Sequence, residues 1–583
     1  MTPSRWAQAW RGVGLPYAAL LAVACGPAPV ASRAAPETPA AVSPPSEGHP
    51  SDRLRLRVSL RPEASEDATR LNVSLTLWGA DGELTMWQVP GTWPGSTPIQ
   101  VSCTNTEESR AERSPPSRQS IDAEPDGIFN VSEACQNATV QLDYVLSTPP
   151  LGHVLWRLDE RGFVARGREL LVLPNIGDVP TETIVEIDAR AFGTDGRAVS
   201  SIGIGAERQA PMTAEALENA WFAAGWFGSA VFEASEGHDE AAWFGSPAFD
   251  PRPLAAEVAS FRSAVRERFH DNHFRPLTLI LIVDPTLDEF EVQRAPASII
   301  VRVAPGSVLS ARLRLAILHQ AMKEWVGGQL ALENDVHDEL AWFTEGFARY
   351  FARELAFAFG LLSPAEYIDE VNALLATQAI ILQPENARCR GQRPDVPSSG
   401  APTCVLLDVT RGALHASELD VALRVAHGSL LDVVAELLRK RPGRLSLSAW
   451  QAVLSGADVD ARLSKQFASG EAVIPPAAAF GRCYARGPRR YAESLRGFEY
   501  SWTSGTPFAN VTSVDPHGPA AAAGLRSGDA LERIDHLPIA PKRPIVLVHP
   551  GGERREYAGQ LRMVPSVGWT LVADPHDERC ALE

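Results

Sequence analysis

Four residues near the middle of the chain have the side-chain types and the spacing of a chemical site. His319 and Lys323 stand four positions apart with Gln320 between them, and Glu345 follows twenty-two positions after Lys323. Residues four apart on a helix share one face, so the His319 and Lys323 side chains are expected to project together. An imidazole and a carboxylate are ligands for a metal ion, whereas an ammonium group pairs with a carboxylate instead.

The residue types at these positions argue against a complete catalytic metal centre. Catalytic zinc usually takes three protein ligands and a water, and only His319 and Glu345 are ligands of this kind. The Lys323 amine is protonated at neutral pH and is therefore a poor ligand. Gln320 cannot act as the base that accepts a proton from a metal-bound water. We therefore expect no cofactor and no catalytic residue, with a Lys323–Glu345 ion pair and a hydrogen-bonded Gln320 side chain nearby.

Two other interpretations of these residues stay open at the level of sequence. In one, His319, Glu345 and His337 form a rebuilt zinc site, although His337 lies eight residues, about two helical turns, before Glu345. In the other, both helices belong to an ordinary core, and the histidine and the glutamate occur there by chance. The apolar run around Glu345 disfavours that second interpretation, because a charge among apolar residues needs a partner.

Two helices are needed to bring these residues together. The first carries an apolar stripe at steps of three or four residues, which is typical of a helix with one face in a core. This stripe consists of Leu315, Leu318, Met322 and Trp325. The second helix holds Glu345, and a loop near Asn334 and Asp335 would join the two as an antiparallel pair.

The chain before these helices has the pattern of β-structure. At 583 residues the protein is expected to have several domains. Apolar residues alternate with polar ones in residues 54–60 and 71–77, which indicates half-buried strands. We assign residues 51–205 to a β sandwich with antiparallel strands. Further strands are expected at 140–144, 170–173 and 183–187.

Residues 206–480 are expected to form an α+β domain around the candidate site. Helices are predicted at 214–225 and 253–268, and strands at 277–283 and 299–303, the last as an edge strand beside a cleft. Ser363 and Ser417 have the pattern of helix N-caps. With two short helices at 429–438 and 446–454, these helices would form a subdomain that closes the cleft.

The N-terminus has the features of an export signal. Arg5 and Arg11 precede a short apolar run in residues 1–24, as in a secretory signal peptide. The residues before Cys25 resemble a bacterial lipobox, which predicts a lipid anchor on Cys25 and a disordered tether over 25–50. An ordinary signal peptide with a chance cysteine is the alternative. We expect an exported, membrane-anchored lipoprotein of the bacterial cell envelope, and the net charge of −17 disfavours nucleic acid as a partner.

The remaining six cysteines are even in number, which suits disulfides in an exported chain. They lie in neighbouring pairs along the sequence. The expected bonds are Cys103–Cys135, Cys389–Cys404 and Cys483–Cys580, one of several possible pairings. A cysteine zinc site is the alternative, but the sequence has no C-x-x-C spacing to support it.

The Trp342-Phe343-Thr344-Glu345-Gly346-Phe347-Ala348-Arg349-Tyr350 run resembles the third-ligand helix of the glycyl aminopeptidase-like gluzincins (peptidase family M61). The segment at 89–96 partly resembles a Pro-Gly-Ser-Tyr element of that family, with Thr97 in place of the tyrosine. The resemblance implies a thermolysin-like domain at 206–480. It also implies that the family's His-Glu-x-x-His motif is replaced here by His-Gln-Ala-Met-Lys.

The C-terminal region, 490–575, resembles a PDZ domain, mainly through residues 518–520 and 523–529. The resemblance implies a loop at Gly497 and Phe498 whose backbone N–H groups bind a chain-terminal carboxylate. A packing domain without a peptide ligand is the alternative. The whole pattern predicts an inactive homologue, or pseudoenzyme, that binds peptides or protein C-termini. The competing hypothesis is an active zinc aminopeptidase with a non-standard metal site.

Overall fold

The computed structural model describes residues 54–572 with gaps. The gaps are 65–68, 79–85, 90–96, 106–116, 123–126, 132–134, 136–137, 148–156, 177–178, 235, 288, 334–339, 384–401, 426–427, 441–442, 455–470, 496, 503–508, 534–544, 549–553 and 558–559. The signal peptide, the tether with Cys25, the 90–96 segment, His337, Cys389 and Cys580 therefore lie outside the described residues.

Strands and two short helices make up the N-terminal region. They are β1 (Arg55–Ala64), β2 (Thr69–Trp78), β3 (Met86–Gln88), β4 (Pro98–Asn105), β5 (Ser117–Asp122), β6 (Ile128–Asn130), β7 (Ala138–Ser147), β8 (Arg157–Asp159), β9 (Gly162–Arg166), α1 (Gly167–Leu170), β10 (Leu173–Pro174), β11 (Thr181–Ile187), β12 (Arg197–Ser200), β13 (Gly203–Ile204), β14 (Glu207–Met212), α2 (Ala214–Asn219) and β15 (Trp221–Gly225). A 3-10 turn spans Arg190–Phe192.

Three sheets pack around one apolar core in this region. Their strand orders are β14-β11-β1-β2-β7-β4-β5, β10-β3-β6 and β13-β12-β15-β9-β8. Alternate residues of β1 and β2, such as Leu56, Val58, Leu71 and Val73, point into that core, as the period of two predicts. The expected β-structure is therefore present, but it is not wholly antiparallel, because β1 and β11 pair in parallel.

Two predictions of local structure fail in this region. Residues 170–173 are not a strand: Leu170 ends α1, and only Leu173 and Pro174 pair as β10. The helix predicted over 214–225 stops at Asn219, and the remainder is β15. β15 lies inside its sheet and all five of its residues are buried. A strand buried on both faces shows no alternation, so its sequence cannot be told from a helix by periodicity. These strands continue past the expected boundary at residue 205.

The central region has one five-stranded sheet. Its elements are β16 (Phe227–Ala234), β17 (Gly237–Phe244), α3 (Pro251–Phe269), β18 (Thr278–Val283), β19 (Phe290–Ala295) and β20 (Ser298–Val303). The strand order is β16-β17-β18-β20-β19. β20, predicted as the edge strand, is therefore internal, and β19 lies at that edge. The burial of every residue of β20 agrees with its internal position.

Helices follow this sheet. They are α4 (Ala311–Met322), α5 (Ala341–Thr344), α6 (Gly346–Ala358), α7 (Pro364–Ile381), α8 (Pro402–Val425), α9 (Leu430–Lys440) and α10 (Leu447–Leu454), with the short strands β21 (Leu330–Glu333) and β22 (Gly443–Ser446) paired in parallel. Ser363 forms the predicted capping box with Glu366 at the start of α7. Ser417 does not begin a helix, because it lies inside α8 and its hydroxyl donates to the Ala413 carbonyl one turn back.

The C-terminal region contains a long strand pair and a small sheet. Its elements are a 3-10 turn (Ala477–Phe480), β23 (Tyr484–Leu495), β24 (Phe498–Trp502), β25 (Ala509–Val514), α11 (Pro519–Ala522), β26 (Ala530–Arg533), β27 (Ile545–Val548), β28 (Arg554–Tyr557) and β29 (Gln560–Leu571). β23 pairs with β29, and β24 to β28 form the sheet in sequence order. No helix in the described stretches is both long and apolar enough to cross a membrane.

The structure contains the predicted Cys103–Cys135 disulfide, which joins β4 to a buried residue ahead of β7. Cys404 and Cys483 are also disulfide-bonded. Since Cys389 and Cys580 lie outside the described residues, the partners expected for Cys404 and Cys483 stay predictions. The confirmed bond closes a segment of 32 residues and so restricts the unfolded chain more than a short crosslink would.

Candidate functional site

Helix α4 positions His319 and Lys323. The Ser310 hydroxyl accepts a hydrogen bond from the Leu313 N–H at the start of the helix, as an N-cap does. Leu318 and Met322 are fully buried and fix which side of α4 faces the core. Lys323 is the C-cap residue and keeps helical dihedrals, so its side chain still follows the direction of His319.

Glu345 lies at a break between two helices rather than inside one. α5 ends at Thr344 and α6 begins at Gly346. Helix α8 crosses this break at very close range. A Cβ added to Gly346 would lie 2.8 Å from the Gly412 Cα atom, and one added to Gly412 would lie 1.8 Å from the Trp342 carbonyl oxygen. Glycine at both positions therefore permits the approach of α8 that holds Glu345 in place.

Three side chains meet at the break. The Lys323 ammonium contacts Oε1 of Glu345. The His319 Nε2 atom lies 3.3 Å from Oε2 of the same carboxylate and 3.1 Å from the Glu345 carbonyl oxygen. The ion pair predicted from the helical spacing is thus present, and both the first and the fifth residue of the His-Gln-Ala-Met-Lys segment contact one carboxylate.

The surroundings keep Glu345 charged. Burial by itself raises the pKa of this carboxyl group, but the hydrogen bond with His319 and the positive charge of Lys323 outweigh burial and lower the pKa to about 2. A carboxylate with so low a pKa is a weak base. Glu345 is therefore suited to binding a cation or a hydrogen-bond donor, and unsuited to removing a proton from water.

Gln320 is only partly integrated into this site. The backbone carbonyl oxygen of Gln320 accepts a hydrogen bond of 3.3 Å from Nη1 of Arg294, a residue of edge strand β19. Among the described residues the Gln320 side chain has no hydrogen-bond partner, so the predicted contact of that side chain is not found. Burial lowers the pKa of Arg294 to about 10. Sequence analysis missed Arg294, and a single arginine in a short strand gives little signal.

A buried ion network fixes the end of α4 beside the site. The Arg262 guanidinium contacts Asp239 and lies 2.6 Å from the Glu324 carboxylate. Arg275 approaches Glu324 at 3.4 Å. The sequence analysis missed this network as well. One signal was available, since Arg262 falls within the apolar stripe of α3, next to Phe261 and near Val265, where an arginine requires a buried partner.

The described residues of the site do not by themselves supply the ligands of a catalytic zinc ion. Across the described ranges, no cluster of three or more His, Cys, Asp or Glu side chains has the geometry to hold a metal. His319 and Glu345 supply two donors, but the Lys323 ammonium occupies one oxygen of the carboxylate that a metal would need. His337, the third donor of the alternative site, lies outside the described residues.

Gly497 and Phe498 lie in the C-terminal region. The small apolar core beside them is separate from the core around α4. Gly497 has φ of 71°, and its carbonyl oxygen accepts a hydrogen bond from the Asp515 N–H at 2.9 Å. A Cβ on Gly497 would lie 2.9 Å from the Pro519 ring, so the turn requires glycine on two grounds. Phe498 begins β24 and packs against the small core that includes Val511 and Leu531.

Comparison with known proteins identifies the class of fold. An aminopeptidase N family protein from Idiomarina loihiensis superposes with a TM-score of 0.57 at 15% identity, over 89% of this chain and 98% of that one. The M1 zinc metallopeptidase from Deinococcus radiodurans gives a TM-score of 0.44 at 13% identity, over 73% of this chain and 94% of that one. No protein-family model matches the chain, and no curated protein matches it.

The first superposition shows that the chain has an aminopeptidase N-like, multidomain α+β fold. It agrees with the expected multidomain α+β architecture at this coarser level. The likeness concerns the fold alone, so what the site does must be argued from the residues that form it.

Proposed function

We propose that this protein is a non-catalytic relative of glycyl aminopeptidase-type peptidases, which binds peptides or protein segments in the former catalytic cleft. The observation that carries the proposal is the contact between Lys323 and Glu345. A side-chain cation there satisfies the carboxylate that would otherwise hold a metal. With Gln320 in place of a base, the cleft has no described group that activates water.

Lys323 also gives the site a means of binding. An ammonium group has three N–H donors, and Glu345 is the partner that the described residues provide. About a quarter of the Lys323 side chain is exposed (23%), so donors remain for a carbonyl or carboxylate oxygen of a ligand. The Nε2 atom of His319 is held against Glu345, so Lys323 is the main donor that the site offers to a ligand. These groups can hold a peptide carbonyl by hydrogen bonds without cleaving the peptide.

A PDZ-like C-terminal region and a lipid anchor extend the proposal. The turn at Gly497 and the strand that starts at Phe498 would bind the C-terminus of a partner protein through backbone N–H groups. Cys25 would carry the lipid that keeps the protein at the cell envelope. The sequence resemblances support both parts.

Equilibrium binding to a peptide library, measured together with hydrolysis and metal content, tests the proposal. The purified full chain should bind peptides without cleaving them, and Lys323→Met should weaken that binding. Lys440→Met is the matched control, since Lys440 also pairs with a glutamate but lies on the exposed end of α9. Hydrolysis that the Lys323→Met variant loses would refute a purely binding role.

The alternative, an active zinc aminopeptidase with a non-standard site, makes a different prediction about metal. It requires one zinc per chain, lost in His319→Ala, with His337 or another residue outside the described ranges as a ligand. Metal analysis of the purified protein and of His319→Ala separates the two hypotheses. One zinc per chain that depends on His319 would overturn the non-catalytic proposal.

A further inference from the structure

The edge strand β19 directs an arginine towards helix α4. Arg294 lies opposite Ile299 of β20, and directly opposed residues of an antiparallel pair point to the same face of the sheet. Ile299 belongs to the apolar core that α4 also lines, and Phe290 and Val292 of β19 pack against that core. Residues two apart on a strand share a face, so the Arg294 side chain points to α4 as well.

Arg294 reaches the end of α4 that holds the candidate site. Its Nη1 atom donates to the Gln320 carbonyl oxygen at 3.3 Å. This oxygen has lost its helical donor, because the Glu324 N–H bonds to the Ala321 carbonyl instead. Gln320 precedes Lys323 by less than one helical turn. Arg294 and Lys323 therefore place two positive charges at the same end of α4.

The protein uses only part of the hydrogen-bonding capacity of the Arg294 guanidinium. An arginine has five N–H donors, and within the described ranges the Gln320 carbonyl is the acceptor that Arg294 has. The Arg294 side chain is partly exposed, and none of its nitrogens is both fully buried and without a partner. The Nε and Nη2 atoms, which do not contact Gln320, are therefore accessible to a ligand.

The positive charge of Arg294 has no counter-ion in the part of the chain that the structure describes. Glu324 attracts Arg294 from a distance, but its oxygens contact Arg262 and Arg275 instead. Burial outweighs that attraction and lowers the pKa of Arg294 to about 10. A cation that burial destabilises is stabilised by an anion that comes into contact with it. The charge at this position therefore favours an anionic ligand.

We infer that Arg294 selects ligands that bring a carboxylate to the C-terminal end of α4, either the C-terminus of a peptide or an acidic side chain. The planar guanidinium binds a carboxylate through two parallel N–H groups, and Nε and Nη2 form one such pair. The inference rests on the proposed peptide-binding role of this cleft and specifies the chemistry of the ligand. An arginine that only caps the helix end would give no preference for a charged ligand.

Equilibrium dialysis of the full chain against three pools of N-acetylated hexapeptides tests this preference. The first pool has neutral side chains and a free C-terminal carboxylate. The second pool has the same sequences with a C-terminal amide, and the third is the amide pool with one glutamate in each peptide. We expect the first pool, the third or both to bind about tenfold more tightly than the second. The pool that does so identifies the source of the carboxylate.

Substitutions of Arg294 separate its charge from its capping hydrogen bond. Arg294→Gln keeps an N–H donor for the Gln320 carbonyl but removes the charge, so the carboxylate pools should bind about tenfold more weakly and the amide pool should be unchanged. Arg294→Lys keeps the charge without the planar fork and should retain part of the preference. Arg312→Gln is the matched control, because Arg312 lies in the first turn of α4 and pairs with Glu289.

The outcomes distinguish this inference from the proposed function. Circular dichroism and thermal unfolding check that each variant is folded. Equal binding of the three pools, or a preference that a folded Arg294→Gln variant retains, overturns the role of Arg294 and leaves the binding role of the cleft standing. Hydrolysis of the bound peptides overturns the non-catalytic role, while a carboxylate preference that depends on Arg294 still supports the inference. Failure of every pool to bind overturns both.

Discussion

Replacing Lys323 with methionine tests whether the ion pair stabilises the helix junction. Methionine preserves much of the length and the apolar stem of lysine but removes the charge. In the variant, Glu345 keeps its hydrogen bond with His319 and loses the cation. The carboxylate stays largely buried, with 28% of its side chain exposed, so water can replace the ammonium only in part. The variant should therefore be less stable than the wild type at neutral pH.

The size of the effect follows from the pKa of Glu345. The pKa is lowered from 4.5 to about 2, and each pKa unit corresponds to about 1.4 kcal/mol. His319 and Lys323 together therefore favour the charged carboxylate by about 3 kcal/mol in the folded state, after the cost of burial. Because His319 remains in the variant, we expect the loss of Lys323 to cost about 1–2 kcal/mol.

The direction of the pKa shift of Glu345 determines how this stabilisation depends on pH. Since the folded pKa of Glu345 lies below the unfolded value of 4.5, the stabilisation is complete above that value. It is lost as the pH falls through 4.5 towards 2. Urea unfolding at a series of pH values, followed by tryptophan fluorescence, should show a wild-type advantage at pH 7 that shrinks below pH 4.5. Trp325 and Trp342 lie in the core around the junction and report on it.

Two variants control for the charge and for the residue type. Lys323→Arg keeps a cation and should retain part of the stability. Lys440→Met removes a lysine from an exposed pair with Glu436 and should change little. Equal stability of Lys323→Met and wild type at pH 7 would refute the proposed ion pair. So would a loss of stability that is the same at pH 7 and pH 3, because that result would point to packing rather than charge.

Three further predictions concern other parts of the chain. Arg262→Met removes the buried cation that Asp239 and Glu324 share, with only the more distant Arg275 left beside Glu324, and should cost about 3–5 kcal/mol in urea unfolding. Lys323→His offers a second imidazole one helical turn after His319, and it should raise the melting temperature in the presence of Zn²⁺, while wild type shows no such shift. Breaking the Cys103–Cys135 bond, which closes 32 residues, should lower stability by about 3–4 kcal/mol, measured by unfolding of a Cys103→Ser, Cys135→Ser variant.

Much of the site could be predicted because its determinants are local. The common direction of the His319 and Lys323 side chains follows from the geometry of one helix. A glutamate among apolar residues is stable only with a partner such as a cation. The same reasoning located the capping box at Ser363, where the pattern lies within four residues. Local rules succeed where one element decides the outcome.

The wrong predictions occur where a distant segment of the chain determines the local structure. The sequence of β15 lacks the alternation of a half-buried strand because the strand is buried on both faces. The segments that cover those faces cannot be inferred from the residues of β15 itself. β20 was expected at an edge because nothing in its sequence indicates that β19 pairs outside it. Ser417 has the residue pattern of a helix start, but the preceding turns of α8 continue through it. In each case tertiary packing overrides the local pattern.

The contact between Lys323 and Glu345 joins α4 to the α5–α6 break. Because this cation is covalently part of α4, no chelator can remove it, and the connection does not depend on a bound ion. Gln320 has no side-chain partner among the described residues, so a substitution there should leave the junction intact. The two positions therefore have separate physical roles: Lys323 connects the helices, and Gln320 offers an amide that cannot act as a base.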